Sequence, residues 1–170
     1  MTYTVDRPEW MVSSAPLAEV PQAVATFESL TVEDRLATVW RLIALVGRAI
    51  TPPTSGTARF SLIEGLLNQC TQLSDAEQIQ VLFQLITRQS TPINRAYGLL
   101  SSNTQLSFWA LLAASLGKSS QQAIAEDRLS PAASALLDQI HCLDHGQRIA
   151  VLRQVVANMG VDPFAAVVLS

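Results

Sequence analysis

Charge is scarce in this chain of 170 residues: Asp, Glu, Lys and Arg make up 15% of it, against about 25% in an ordinary soluble domain. The formal net charge is −3 at pH 7, which argues against nucleic acid as the main partner. Glycine and proline are also few, with 7 and 8 residues, and both cluster between periodic segments rather than inside them. There are only 2 cysteines, Cys70 and Cys142, too few for a disulfide scaffold and without a C-x-x-C spacing. Aromatic residues contribute 6%. The N-terminus lacks a basic stretch followed by an apolar core, so no secretory signal is expected. No apolar run approaches the roughly 18 residues of a membrane span; Phe108 to Leu116 is interrupted by Ser115 and followed by Gly117-Lys118. A G-x-G-x-x-G or P-loop motif is missing too, as is a Ser-His-Asp or Cys-His arrangement.

What is present is apolar material, 49% of the chain. That excludes disorder and predicts a soluble, cytoplasmic protein with a thick core, or with a ligand or partner covering apolar surface. Residues 1–16 lack a period and read as an N-terminal arm broken by Pro8, Ser13-Ser14 and Pro16; residues 17–170 read as a single all-helical domain. A short helix is expected over Val20–Ser29, with Pro21 in its first turn.

Three segments align without gaps, beginning at Leu30, Leu73 and Leu143 and ending at Ile43, Ile86 and Val156. In each, a leucine precedes a capping residue, Thr31, Ser74 or Asp144. Three positions later comes Asp34, Glu77 or Gln147. Ser74 with Glu77 is a full capping box, and the other two are close variants. Apolar stripes follow at i, i+3, i+7: Leu36-Val39-Ile43, Ile79-Leu82-Ile86 and Ile149-Leu152-Val156. The pattern predicts three equivalent long helices starting near 31, 74 and 144. Unequal spacings of 43 and 70 residues between the repeats favour two related bundles over an elongated solenoid. Further helices are expected over 57–70, 92–100, 103–116 (capped by Asn103) and 131–142, with a loop or helical turn over 119–128. The total is seven or eight helices.

Chemistry-bearing groups are sparse. His141 and His145 are four apart, but a cap at Asp144 makes them straddle a turn rather than share a helix face, so the pair reads as surface and not as a metal site. Glu33-Asp34 sits in a helical first turn, where acidic side chains favour the dipole. Two tryptophans lie on apolar stripes: Trp40 on Leu36-Val39-Trp40-Ile43, and Trp109 on Leu106-Trp109-Ala113-Leu116. Either they simply pack in a core, or they clamp a long apolar ligand between bundles. Phe83 and Arg153 fill the slot of Trp40 in the other two repeats. Arg153 there either snorkels to water or marks a docking face.

The segment Leu30 to Trp40, the segment Asn103 to Trp109, and Gln147 to Arg153 with Asn158-Met159-Gly160 resemble the N-terminal domain of the cyanobacterial orange carotenoid protein. The resemblance runs from about Thr4 to Val161, with one short gap near 119–128. It implies an all-α fold of two discontinuous four-helix bundles packed around a carotenoid tunnel. It also implies a non-covalent ketocarotenoid cofactor, such as canthaxanthin or echinenone, and no enzymatic activity. By this resemblance Trp40 and Trp109 match the tryptophans that flank the pigment. Leu36, Val39, Ile79, Leu82, Leu106, Leu116, Ile149 and Met159 match or replace apolar tunnel positions. Arg153 and Asn103 match residues of the face that meets a partner. There are two departures: Ile43 stands where the family has a tyrosine, and Ala110 where it has an aromatic.

The implied role is quenching of singlet oxygen in photoprotection. The family's photoactive members continue into a regulatory domain, so this chain reads as a stand-alone helical carotenoid protein, and photoswitching is not expected. Two alternatives are implied: a constitutive quencher of phycobilisome excitation, and a carrier exchanging pigment with a homologue of the C-terminal domain. The expected state is a monomer or weak dimer, cytoplasmic and close to thylakoid membranes.

Overall fold

Short polar side chains start most of the helices. A computed structural model describes residues 15–125, 128–162 and 164, and among these there is no strand. The helices are α1 (Ala15–Glu28), α2 (Val32–Val46), α3 (Ala58–Thr71), α4 (Asp75–Ile86), α5 (Pro92–Gly98), α6 (Ser102–Ser115), α7 (Lys118–Ala125), α8 (Pro131–His141) and α9 (His145–Ala157), with a 3-10 turn at Gly47–Ala49 after α2. Thr31, Thr57, Ser74, Thr91, Ser101, Ser130 and Asp144 each accept a backbone N–H from the first turn of the helix they precede. Each satisfies a donor that the helix itself cannot pair. Ser74/Glu77 and Asp144/Gln147 close reciprocal capping boxes. The repeat therefore appears as α2, α4 and α9, at the expected starts.

Several boundaries differ from the sequence expectation. Most of the arm, residues 1–14, lies outside the described residues, and Ala15 and Pro16 already belong to α1. Pro21 consequently falls inside α1 instead of in its first turn. Its missing N–H leaves one carbonyl of the preceding turn without a helical partner. Ser101, not Asn103, caps α6. The backbone is still extended at Ser101, where a cap must sit, whereas Asn103 already lies within the first turn. The segment expected as a loop or helical turn over 119–128 carries the eight-residue helix α7.

The chain's two ends and its middle form separate layers. Helices α1, α2, α8 and α9 pack on one another as one bundle, and α3 to α7 form the second, with α5 and α7 as its two short members. The bundles meet where α6 lies along α9 and where α2 packs against α4, α6 and α7. Core leucines, isoleucines and valines of all three repeat helices are buried in one common cluster, including Val39, Leu42, Leu82, Leu85, Leu152 and Val156. Full burial of such a side chain stabilises the fold by roughly 1.5–3 kcal/mol.

Polar pins fix the connections. The Ser130 N–H donates to Asp34 Oδ1 at 3.2 Å, tying the start of α8 to α2. The Asn94 amide donates to the Gln84 and Gln89 carbonyls at 2.8 and 2.7 Å, closing the turn between α4 and α5. After α9, Gly160 takes φ +73°, and a Cβ there would lie 2.5 Å from the Tyr97 ring.

Candidate functional site

One face of α6 lines two cavities in succession. Asn103, Leu106 and Ser107 border a cavity of about 360 Å³, together with Ala49, Ile50 and Thr51 after α2 and with Ile149 and Arg153 of α9. Ala110, Ala113 and Ala114 border a second of about 600 Å³, together with Trp40, Ile43 and Ala44 of α2, Gly47, Arg48, and Gln121 of α7. Positions 103, 106, 107, 110, 113 and 114 recur at three- and four-residue steps, the repeat of one helix face. The stripe extends about 16 Å at 1.5 Å per residue. Its opposing wall is a continuous piece of chain, Trp40 to Thr51. The two cavities therefore follow one another along the seam between the bundles, a groove in which Ala, Ile, Leu and Trp side chains share the walls with Thr51, Asn103, Ser107 and Arg153 at one end and Arg48 and Gln121 at the other.

The residues singled out from sequence divide into four groups. Trp40, Ile43 and Ala110 line the larger cavity. Leu106, Ile149, Asn103 and Arg153 line the smaller one. Met159 borders a separate cavity of about 410 Å³ with Arg88, Gln105 and Asp162. Leu36, Val39, Leu82, Leu116 and Trp109 are buried core residues that line none of these three cavities, and Ile79 is half-buried on α4.

Trp109, which the sequence placed either in a core or against a ligand, is fully buried, and its indole N–H donates to the Tyr97 hydroxyl at 3.1 Å. That hydroxyl in turn donates to the Val156 carbonyl of α9 at 2.5 Å. The Tyr97 ring also meets Phe108 edge-on, with centroids 5.6 Å apart. Burial pushes the Tyr97 hydroxyl well above the ordinary tyrosine range, so it stays a donor. Trp109 thus belongs to a buried pin joining α5, α6 and α9, while Trp40 stands half-buried at the groove.

Arg153 is half-buried and borders the smaller cavity; its Nε is shielded from solvent and has no hydrogen-bond acceptor. Asn103 is exposed at the same place. His141 closes α8 and His145 opens α9, on either side of the Asp144 cap. Among the described residues, no three His, Cys, Asp or Glu side chains converge to hold a metal. Burial pushes the Cys70 thiol up to about 11, which makes it inert.

Sequence reasoning missed the small residues Ala44, Gly47, Ala113 and Ala114 as groove wall. A signal existed, the spacing 103-106-110-113. It was masked because α6 is buried on nearly every side over Thr104–Trp109, so apolar periodicity could not distinguish its two faces.

Fold and cavities together define an all-helical, two-bundle protein with open space along the seam between its bundles. The chain belongs to the family described as "Orange carotenoid protein, N-terminal", whose profile matches residues 13–162. An orange carotenoid-binding domain-containing protein of Nostoc sp. (strain PCC 7120 / SAG 25.82 / UTEX 2576) is 42% identical over 170 residues, covering 97% of this chain and 99% of that protein. The orange carotenoid-binding protein of Limnospira maxima is 34% identical over 164 residues, covering 95% of this chain and 52% of that protein. Among solved structures, the Orange Carotenoid Protein of Anabaena (Nostoc) sp. PCC 7120, binding canthaxanthin, superposes with a TM-score of 0.72 at 34% identity, over 86% of this chain and 47% of that one. The Red Carotenoid Protein of the same organism, also binding canthaxanthin, gives a TM-score of 0.65 at 30% identity, over 84% of this chain and 98% of that one. The chain thus spans about half the length of the longer relatives and nearly all of the shorter ones. Named members of the family are carotenoid-binding proteins, not enzymes. No helix among the described residues is long and apolar enough to cross a membrane.

Proposed function

We propose that this chain holds one ketocarotenoid non-covalently in the groove between its bundles and quenches singlet oxygen. The observation that carries the reading is the α6 stripe, which lines two successive cavities against Trp40–Thr51 and α9. A polyene offers almost no hydrogen-bonding groups, so it is held by apolar burial and dispersion. The groove offers such contacts: aliphatic side chains of α2, α6 and α9 and one half-buried indole, Trp40, stand beside small side chains, interleaved with polar groups. A C40 carotenoid is about as long as a helix of ~18 residues. The stripe supports somewhat more than half of that, and the pigment extends past it. The bound polyene supplies the chemistry, accepting excitation into a low triplet level and releasing it as heat. The residues of the chain hold the pigment extended, keep it dispersed and leave it accessible to oxygen.

The test is expression in a host that makes canthaxanthin. The expected result is a broad, red-shifted polyene band co-eluting with the protein, and a holoprotein that shortens the lifetime of singlet-oxygen phosphorescence at 1:1 loading. A colourless folded protein would overturn pigment binding. A coloured protein that leaves the lifetime unchanged would overturn the quenching role alone.

A second reading concerns Asn103 and Arg153. An exposed amide beside a guanidinium whose Nε lacks an acceptor supports docking at this rim, with the phycobilisome as the partner expected from the resemblance. Holoprotein should then lower antenna fluorescence, and Arg153→Glu should restore it. Equal quenching by both proteins would remove this partner role.

A further inference from the structure

Two exposed leucines border one cavity. Leu62 of α3 and Leu99 at the end of α5 are 60% and 73% exposed, and both line a groove of about 260 Å³ between these helices. The buried Leu66 and Leu100 line it too, with Gly65 and Ala96, and Ser61 and Gln69 are its polar members. A single exposed leucine is ordinary, but two of them at one cavity backed by buried leucines leave apolar surface that a further apolar group would cover.

Gly65 stands in the middle of α3, where glycine weakens a helix. Its φ lies outside the left-handed region, and a Cβ there would meet nothing within 4 Å. Neither the backbone nor the packing of the described residues calls for glycine at this position. The missing side chain opens the groove and lets another stretch of backbone approach the helix closely.

The end of the described chain arrives at the same place. After α9 the Gly160 N–H donates to the Leu85 carbonyl at 2.9 Å, and the Val161 N–H donates to the Asn94 carbonyl of α5 at 3.3 Å. Asp162 borders one cavity with Gly98 and Leu100, and Leu100 also borders the groove. Phe164 is 76% exposed. The sequence continues Ala165-Ala166-Val167-Val168-Leu169, without a charge, and these residues lie outside the described ones. Five extended residues reach up to about 17 Å, whereas the seven residues of α5 rise only about 10 Å.

We propose that residues 165–169 of this chain occupy the groove between α3 and α5, laid over Gly65 and covering Leu62 and Leu99. The bond between Val161 and Asn94 holds the start of this segment beside the groove, so its local concentration far exceeds that of any second chain in solution. Pigment plays no part in the contact.

The test is cross-linking within the full chain. Cys142→Ser removes the exposed thiol, while Cys70 is buried. In that background Leu99→Cys is combined in turn with Val167→Cys, Val168→Cys and Leu169→Cys, and disulfide formation under a mild oxidant is followed at low micromolar protein. Control pairs carry Ser102→Cys in place of Leu99→Cys, because Ser102 is exposed and borders the cavity of Asp162 but not the groove. At least one Leu99 pair is expected to close within one chain about tenfold faster than its control. A second measurement needs no cysteine: in the double variant Val167→Asp with Val168→Asp, amide exchange in α3 and α5 is expected to rise about threefold over the wild type, with α8 unchanged. Far-UV circular dichroism confirms that each variant is folded, and if the cysteine pairs are not, amide exchange decides. Equal rates for the Leu99 and Ser102 pairs overturn the proposal, as does amide exchange in α3 and α5 that ignores the Asp substitutions. Disulfides formed mainly between two chains assign the groove to a second copy and overturn it as well.

Discussion

Tyr97 serves two partners with one hydroxyl, and its burial makes both bonds costly to lose. It donates to the Val156 carbonyl and accepts from the Trp109 indole. Tyr97→Phe leaves the buried Trp109 indole N–H without its acceptor and removes one of the bonds to the Val156 carbonyl, which keeps the Met159 N–H; it is expected to cost about 1–3 kcal/mol in urea unfolding. Because burial raises its folded pKa, the unfolded chain ionises first, and this stabilisation is expected to fade as the pH rises above the ordinary tyrosine value of 10.0. Asp34 works in the opposite direction. The Ser130 hydroxyl, with a further contribution from the Ser130 and Thr31 hydrogen bonds, holds its carboxyl below the ordinary 3.8 despite burial. That contribution is present above the unfolded value and is lost as the pH falls through the folded one, so Asp34→Asn should flatten the acid limb of a stability–pH curve. The two cysteines offer a simpler check. Cys142 is exposed and Cys70 is buried, so an aromatic disulfide reagent at pH 8 should label one thiol quickly and the second only on unfolding.

At the scale of elements, the caps were the most legible feature. Ser74/Glu77 and Asp144/Gln147 close boxes at the starts read from sequence, because a cap is a local bond between residues three apart. Ser74→Ala and Asp144→Ala are each expected to cost about 1 kcal/mol, measured as a lower urea midpoint at unchanged slope. Helix α6 was the least legible. Its sequence is apolar nearly all round, and α3, α9 and α2 cover different sides of it. Of the stripe Leu106-Trp109-Ala113, the indole bonds Tyr97, while Leu106 and Ala113 border the two cavities. Only the neighbours of a helix covered on several sides decide which of its faces meets a cavity.

At the scale of the whole molecule, the groove lies where two bundles meet, so a ligand there touches both. Pigment at about 100 times its Kd should add about 2.7 kcal/mol to folding stability, which raises Tm by roughly 5–10 °C in a chain of this size. Equal Tm values for apoprotein and loaded protein would show that the pigment sits outside this seam. The helical class, the three equivalent helices and their starting points were determined by the sequence itself, through capping residues and apolar spacing that act over three to seven positions. Family membership was readable there too, from motifs in register over most of the chain. The division into a bundle of α1, α2, α8 and α9 around the middle of the chain was decided only by the tertiary structure. So were the burial of Trp109 and the row of alanines that opens the larger cavity. Empty space has no residue of its own: it is what remains when helices distant in sequence meet through side chains too small to fill the gap.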